Sequence, residues 1–197
     1  MRIGGRLQGA IEVLSDVEER RRPIANALKD WGTAHRFAGS GDRAAIGNIV
    51  YDALRLKLSH AWLMEDDSPA ALAHAVLFRQ WGIAPQALAE RLDGDKFAPE
   101  PLSDAALKAF VSRNLADAPD DVRGDLPEWI LPAFKQNFGD NWLAEAEALR
   151  AEAEGKGAGI VVETETTEYV RTGREVMSRI TTSREATLPS QGETVVK

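Results

Sequence analysis

The sequence predicts an all-α protein: a bundle of about seven or eight helices, followed by a short tail of different character. Between residues 4 and 154 the apolar side chains recur at intervals of three and four, which is the period of an amphipathic helix. No stretch of this region shows the sustained alternation of apolar and polar residues that is typical of a strand. Serine, proline and glycine residues separate the periodic segments and provide signals for helix ends.

The first two helices lie on either side of a proline. The first helix is expected to run through Val17 and to end before Pro23, which suits the first turn of the second helix. Gly32 is the predicted C-terminal stop of that second helix. The inward-facing positions of the two helices are predicted to be Leu7, Ala10, Ile11, Leu14, Val17, Ile24, Ala27, Leu28 and Trp31.

A long third helix is predicted after the loop that ends at Gly39. Ser40 or Asp42 caps it, and the apolar pattern continues to about Met64. The fourth helix begins at Ser68, an N-cap followed by a proline, and ends before Gly82. The inward positions of the third helix are predicted to be Ala45, Ile46, Ile49, Val50, Leu54, Leu58 and Trp62.

Shorter helices complete the predicted bundle. Residues 85–92 form a fifth helix, and Ser103 caps a sixth. The stretch 119–132 contains three prolines, and residues 126–134 are predicted to form a short apolar helix. A last helix follows Asp140. The sixth helix is predicted to turn Leu107, Phe110, Val111 and Leu115 inward.

The tail, residues 155–197, opens with three glycines and is rich in Thr and Glu. Residues 160–170 have high strand propensity and are predicted to pair with residues 176–182 in a short β-hairpin. The last fifteen residues are polar, and we expect them to be disordered.

Composition and charge narrow the class of protein. Cysteine is absent, which excludes disulfides, thiolate metal sites and cysteine nucleophiles. No run of apolar residues is long enough to span a membrane, and we expect a soluble cytoplasmic protein. The net charge of −7 is uneven: residues 1–64 carry ten Lys and Arg against seven Asp and Glu, whereas residues 65–154 carry eight against eighteen. This asymmetry fits either an anionic partner of the N-terminal third or an uneven distribution of solvated charges.

Several segments resemble RsmB-type ribosomal RNA cytosine-5 methyltransferases. The similarity begins in residues 4–14 (GGRLQGAIEVL) and 21–28 (RRPIANAL) and continues through residues 35–55 (HRFAGSGDRAAIGNIVYDALR). Residues 126–130 (LPEWI) and 138–142 (FGDNW) resemble the connector between the domains of that family. The similarity covers about 150 of the 197 residues, and it is carried by the order and spacing of the segments.

The resemblance implies a fold, a partner and a division of the chain. Residues 1–118 would form a NusB-like helical RNA-binding domain, residues 119–154 a helical connector, and residues 155–197 a tail that is atypical of the family. The family uses S-adenosylmethionine and two cysteines in a further domain, which this chain lacks, so we expect no cofactor and no methyltransferase activity here. The tail would then be a foreign extension or the product of truncation or a frameshift. The expected partner is RNA, in particular small-subunit ribosomal RNA. A ribosomal or transcription-complex protein is the alternative, with the acidic 65–154 region as its binding face.

The candidate RNA-binding residues are the cations of the N-terminal third, since a planar guanidinium donates two hydrogen bonds to a phosphate and stays charged. The alternative is a solvated face in which Glu18 and Glu19 pair with the arginine run. Phe37 lies between a cation and a predicted helix, where it could stack on a base, but we expect it to be a core anchor. His35, His60 and His74 lack metal-ligand spacing, so no metal site is predicted. No catalytic residue is predicted either, because the chain lacks the family's methyltransferase domain and its cysteines. The candidate residues are Arg2, Arg6, Arg20, Arg21, Arg22, Arg36, Arg43, Arg55 and Lys57.

Overall fold

The computed structural model describes residues 1–153 and two strands within the tail, and the predicted all-α class is confirmed for residues 1–153. Two short 3-10 turns, Leu115–Asp117 and Gly139–Asn141, join the last helices. The helices are α1 (Ile3–Arg20), α2 (Ile24–Ala34), α3 (Ser40–Arg55), α4 (Lys57–Met64), α5 (Pro69–Arg79), α6 (Pro85–Leu92), α7 (Asp104–Ser112), α8 (Asp120–Arg123), α9 (Leu131–Phe138) and α10 (Trp142–Ala153).

Two of the predicted helix starts are confirmed by their hydrogen bonds. The Ser68 hydroxyl accepts from the backbone N–H of Ala71 at 3.2 Å at the start of α5. The Ser103 hydroxyl accepts from the N–H of Ala106 at 3.1 Å at the start of α7. Each serine satisfies one of the backbone donors that the first turn of a helix leaves without an intrahelical partner.

The prediction of one long third helix is wrong, because the helix is interrupted between α3 and α4. Leu56 lies at the break with φ −109° and ψ 31°, outside helical geometry. The broken helix leaves amide donors in the first turn of α4, and the Asp125 carboxylate accepts from the Ser59 N–H at 2.9 Å. A residue far along the chain therefore caps α4.

Three other helix details differ from the prediction. Gly32 does not end α2, which continues to Ala34, because this glycine is buried inside the helix beside Arg43. The short apolar helix is Leu131–Phe138, later in the chain than predicted. Val111 was predicted to face inward but is 75% exposed, because α7 buries its small residues instead.

The core is centred on α5, which packs against α1, α3 and α4 and buries every residue from Ala71 to Phe78. Each fully buried Leu, Ile, Val or Met side chain contributes about 1.5–3 kcal/mol through burial of apolar surface. The largest fully buried apolar members of this core are Leu7, Val13, Ile46, Ile49, Val50, Met64, Val76, Leu77 and Leu88.

Two residues after α7, Arg113 and Asp125, bond to α4 and its C-terminal end. Besides the Asp125 bond to Ser59, Arg113 donates to the carbonyl oxygen of Trp62 at 2.6 Å and to the Glu65 carboxylate at 2.7 Å. Its guanidinium also lies 5.0 Å from the Trp62 ring centroid, a distance typical of a cation–π contact. These bonds hold the α7–α8 segment against the bundle.

The chain divides into two compact units, Met1–Glu154 and Gly155–Lys197. The second unit contains the predicted hairpin, in which β1 (Val161–Thr172) pairs antiparallel with β2 (Glu175–Thr187). The second strand extends beyond the predicted range of 176–182. The disorder predicted for the last fifteen residues is wrong for residues 183–187, which lie in β2, and residues 188–197 lie outside the described residues.

Candidate functional site

Five of the nine predicted RNA-binding cations form ion pairs within the helical unit. A sixth, Arg43, donates to the carbonyl oxygen of Ala38 at 3.0 Å. The guanidinium groups of Arg2, Arg21 and Arg36 have no hydrogen-bond or ion-pair partner in the part of the chain that the structure describes. The ion pairs are Arg6–Asp42 at 2.9 Å, Arg20–Asp16 at 3.1 Å, Arg22 with Asp16 at 3.3 Å and with Asp30, Arg55–Asp52 at 3.2 Å, and Lys57–Glu18 at 3.9 Å.

The acidic partners of the arginine run are not the ones that the sequence suggested. Glu18 pairs with Lys57, while Arg22 bridges Asp16 and Asp30. The hydrogen bond from Arg22 lowers the pKa of Asp30, and the same bond raises the pKa of Arg22. The bridge therefore joins the end of α1 to α2 and neutralises part of the run's positive charge.

The nine cations do not form one continuous surface. Arg2 precedes α1 and Arg21 follows it, and a helix of 18 residues is about 27 Å long. Arg36, by contrast, lies in the loop after α2, next to residues that line the same cavity as Arg2. The structure thus separates the arginine run from the cations at the N-terminal end of α1.

A cavity of about 970 Å³ lies beside the N-terminal half of α1. We call it the aromatic groove. One wall comes from α1, a second from the C-terminal end of α2 and the loop after it, and a third from the loop after α6. Its lining residues are Met1, Arg2, Gly5, Gln8, Gly9, Glu12, Trp31, His35, Phe37 and residues 94–100.

Three aromatic rings contact one another in a row along the α2 wall of the aromatic groove. The His35 ring stacks on Trp31, with centroids 4.2 Å apart and planes inclined by 14°. Phe37 meets the edge of His35 at 5.7 Å and is 71% exposed. The first of these rings, Trp31, is held in place because its indole N–H donates to the Glu12 carboxylate at 2.7 Å. Trp31 fits here because Gly9 has no side chain: a Cβ there would lie 2.6 Å from Trp31 Cζ2.

The opposite wall repeats the pairing of a cation with a phenylalanine. Phe97 is 61% exposed, and the Lys96 ammonium lies 4.8 Å from its ring centroid. Asp95 shapes this loop by accepting from the Phe97 N–H at 3.1 Å. The loop can approach α1 because Gly4 has no side chain: a Cβ there would lie 2.7 Å from Asp95 Oδ2. Asp95 therefore positions this wall of the aromatic groove.

The expectation that Phe37 is a core anchor is wrong, since its ring projects from the loop and lines the aromatic groove. Trp31, interpreted from sequence as core, is only half-buried and also lines it. Lys96 and Phe97 were not selected from the sequence. The signal that could have identified them is the repeated dipeptide, Arg36–Phe37 and Lys96–Phe97, with each copy in a loop.

Within residues 1–153, no group of three or more His, Asp or Glu side chains is placed to hold a metal ion. None of the helices described has the length and apolar content that a membrane crossing requires. Comparison with protein-family models, with curated proteins and with solved structures gives no match in any of the three.

Proposed function

We propose that the helical unit, residues 1–154, is an RNA-binding module of the cytoplasm that contacts small-subunit ribosomal RNA and has no catalytic role of its own. The resemblance to the NusB-like domain of RsmB-type methyltransferases suggests this partner. The observation that carries the proposal is the aromatic groove, where two exposed phenylalanines each follow a cation in the chain, Arg36–Phe37 and Lys96–Phe97.

This combination suits single-stranded RNA better than a regular duplex. Unpaired bases stack on exposed aromatic rings, while neighbouring cations contact the phosphates. Arg2 and Lys96 both line the aromatic groove, and the Arg36 guanidinium has no partner among the described residues. We assign the phosphate contacts first to these three cations, because their charge is not shared with a carboxylate of residues 1–153.

The ion-paired members of the predicted set have a secondary role in this proposal. Exposed ion pairs are worth about 0–1 kcal/mol, so a phosphate can compete for Arg20 or Arg55 at small cost. Arg6 is held more firmly. Its guanidinium and the Met1 ammonium both donate to Asp42, and these bonds lower the pKa of that carboxyl, with the ammonium as the larger cause.

An electrophoretic mobility shift with small-subunit ribosomal RNA fragments, over a series of salt concentrations, tests the proposal. Wild-type affinity should fall steeply with salt, and Arg36→Ala should lower the salt slope by about 0.7, the value for one phosphate contact on a single strand. Lys108→Ala is the matched control, since Lys108 is exposed on α7 and does not line the aromatic groove. Wild-type protein that binds none of the fragments would refute the proposal.

A second candidate partner is a ribosomal or transcription-complex protein. Exposed large apolar side chains in the acidic region favour it: Trp129 is 79% exposed and Leu149 is 54% exposed. Co-sedimentation with purified small ribosomal subunits at high salt tests this candidate, because phosphate contacts weaken there and apolar contacts do not. Retention of wild type but not of Trp129→Ser would support it, and equal loss of both would exclude it.

A further inference from the structure

The wall of the aromatic groove contains a carboxylate whose position is fixed from two sides. Gln8 donates to Glu12 Oε1 at 3.0 Å, and Trp31 donates to Glu12 Oε2 at 2.7 Å. The side chain is 41% exposed, and all three residues line the aromatic groove. A carboxylate offers about four lone-pair sites, so these two bonds leave acceptor capacity on the exposed side of Glu12.

This negative charge does not suit an RNA phosphate, which the cations at the rim attract instead. It suits a hydrogen-bond donor. The His35 Nδ1 atom lies 2.9 Å from the Trp31 carbonyl oxygen. Because a carbonyl oxygen only accepts, Nδ1 donates to it and is not the donor to Glu12. The His35 Nε2 atom lies 3.8 Å from Glu12 Oε2, beyond hydrogen-bond distance. Besides the bonds from Gln8 and Trp31, the exposed side of the Glu12 carboxylate therefore keeps acceptor capacity for a further hydrogen-bond donor.

We propose that the aromatic groove binds one unpaired RNA base that carries an exocyclic amino group, and that it discriminates against uracil. The base stacks on Phe37 or Phe97, and its amino group donates to Glu12. Cytosine presents such a donor to a carboxylate, whereas uracil presents a carbonyl oxygen at the same position and is repelled. This inference rests on the proposed RNA-binding function and assigns base selectivity to the same site.

Fluorescence anisotropy with labelled oligocytidylate and oligouridylate of equal length tests the inference. Wild type should bind the cytidine strand about tenfold more tightly, the discrimination expected of one good base contact. Glu12→Gln should bring that ratio close to one, because the amide can donate to the uracil carbonyl while its oxygen still accepts from Trp31. Phe37→Ala should weaken binding of both strands by about tenfold through loss of stacking.

Phe138→Ala is the matched control for the aromatic substitution, because Phe138 is also an exposed phenylalanine and does not line the aromatic groove. It should leave both affinities unchanged. If wild type binds both strands equally, with normal salt dependence, the base selectivity is refuted while the RNA-binding function stands. If wild type binds neither strand nor the ribosomal fragments, both fail. A Glu12→Gln protein that keeps the tenfold ratio also overturns the inference, and the wild-type ratio remains decisive should that variant not fold.

Discussion

Acidification should destabilise the helical unit through His60, which is fully buried in α4. Burial lowers the pKa of His60 to about 3, since a charged imidazolium is costly to remove from water. The positive charge of Arg79 is the next cause, and that of Arg150 adds to it. The nearby Gln80 side chain acts in the opposite direction, but it does not cancel the effect of burial.

The direction and size of the effect follow from proton linkage. In the unfolded chain the histidine pKa returns to about 6.5, so between about pH 6.5 and pH 3 the unfolded state binds one more proton than the folded state. The free energy of unfolding therefore falls as the pH decreases through this window. At about 1.4 kcal/mol per pH unit, His60 alone removes about 2 kcal/mol of stability between pH 7 and pH 5. For a unit of this size that corresponds to a fall of about 4–8 °C in Tm.

Other groups removed from water also titrate, among them His74 and Asp125, so the comparison needs a variant. Burial lowers the pKa of His74, which acts in the same direction as His60. Burial raises the pKa of Asp125, and this carboxyl acts in the opposite direction, because its cost at neutral pH is relieved as it protonates. The difference between wild type and His60→Gln isolates the histidine, since both proteins retain the other two groups.

Thermal melts followed by circular dichroism at pH 7 and pH 5 provide the measurement. The fall in Tm between the two pH values should be smaller by about 4–8 °C in His60→Gln than in wild type. An identical fall in wild type and His60→Gln would refute the argument, whatever the Tm of the variant at pH 7.

Three further predictions concern the packing of the helical unit. Gly9→Ala should lower the free energy of unfolding by about 1–3 kcal/mol, because the added Cβ would overlap Trp31. Gly47→Ala should raise that free energy by up to about 1 kcal/mol, because no atom lies closer than 4.0 Å to the added Cβ. Chemical denaturation measures both changes. Ser68→Ala should cost about 1 kcal/mol in the same assay through loss of the α5 cap. A protein that ends at Glu154 should melt cooperatively within a few degrees of the full chain, since residues 1–154 form a compact unit, and loss of the cooperative transition would contradict this.

The sequence predicts helices well where their signals are local. Ser68 and Ser103 are confirmed as caps because a hydroxyl three residues before a backbone N–H completes the bond within one turn. The break at Leu56 has no such signal, because the apolar period continues across it. What stabilises it is Asp125, 66 residues after Ser59, and only the folded chain brings these two together.

The site shows the same division between local and distant causes. That cations are concentrated in the N-terminal third can be counted in the sequence, but which of them are neutralised depends on α1 lying against α2, where Arg22 meets Asp30. The exposure of Phe37 is likewise a tertiary outcome: its ring is 71% exposed and contacts the ring of His35, which in turn stacks on Trp31. A phenylalanine that the core does not need remains at the surface beside a cation, and that is the arrangement a stacking site requires. The sequence therefore shows where the positive charge is concentrated. Tertiary packing determines which cations are ion-paired and which aromatic side chains are exposed.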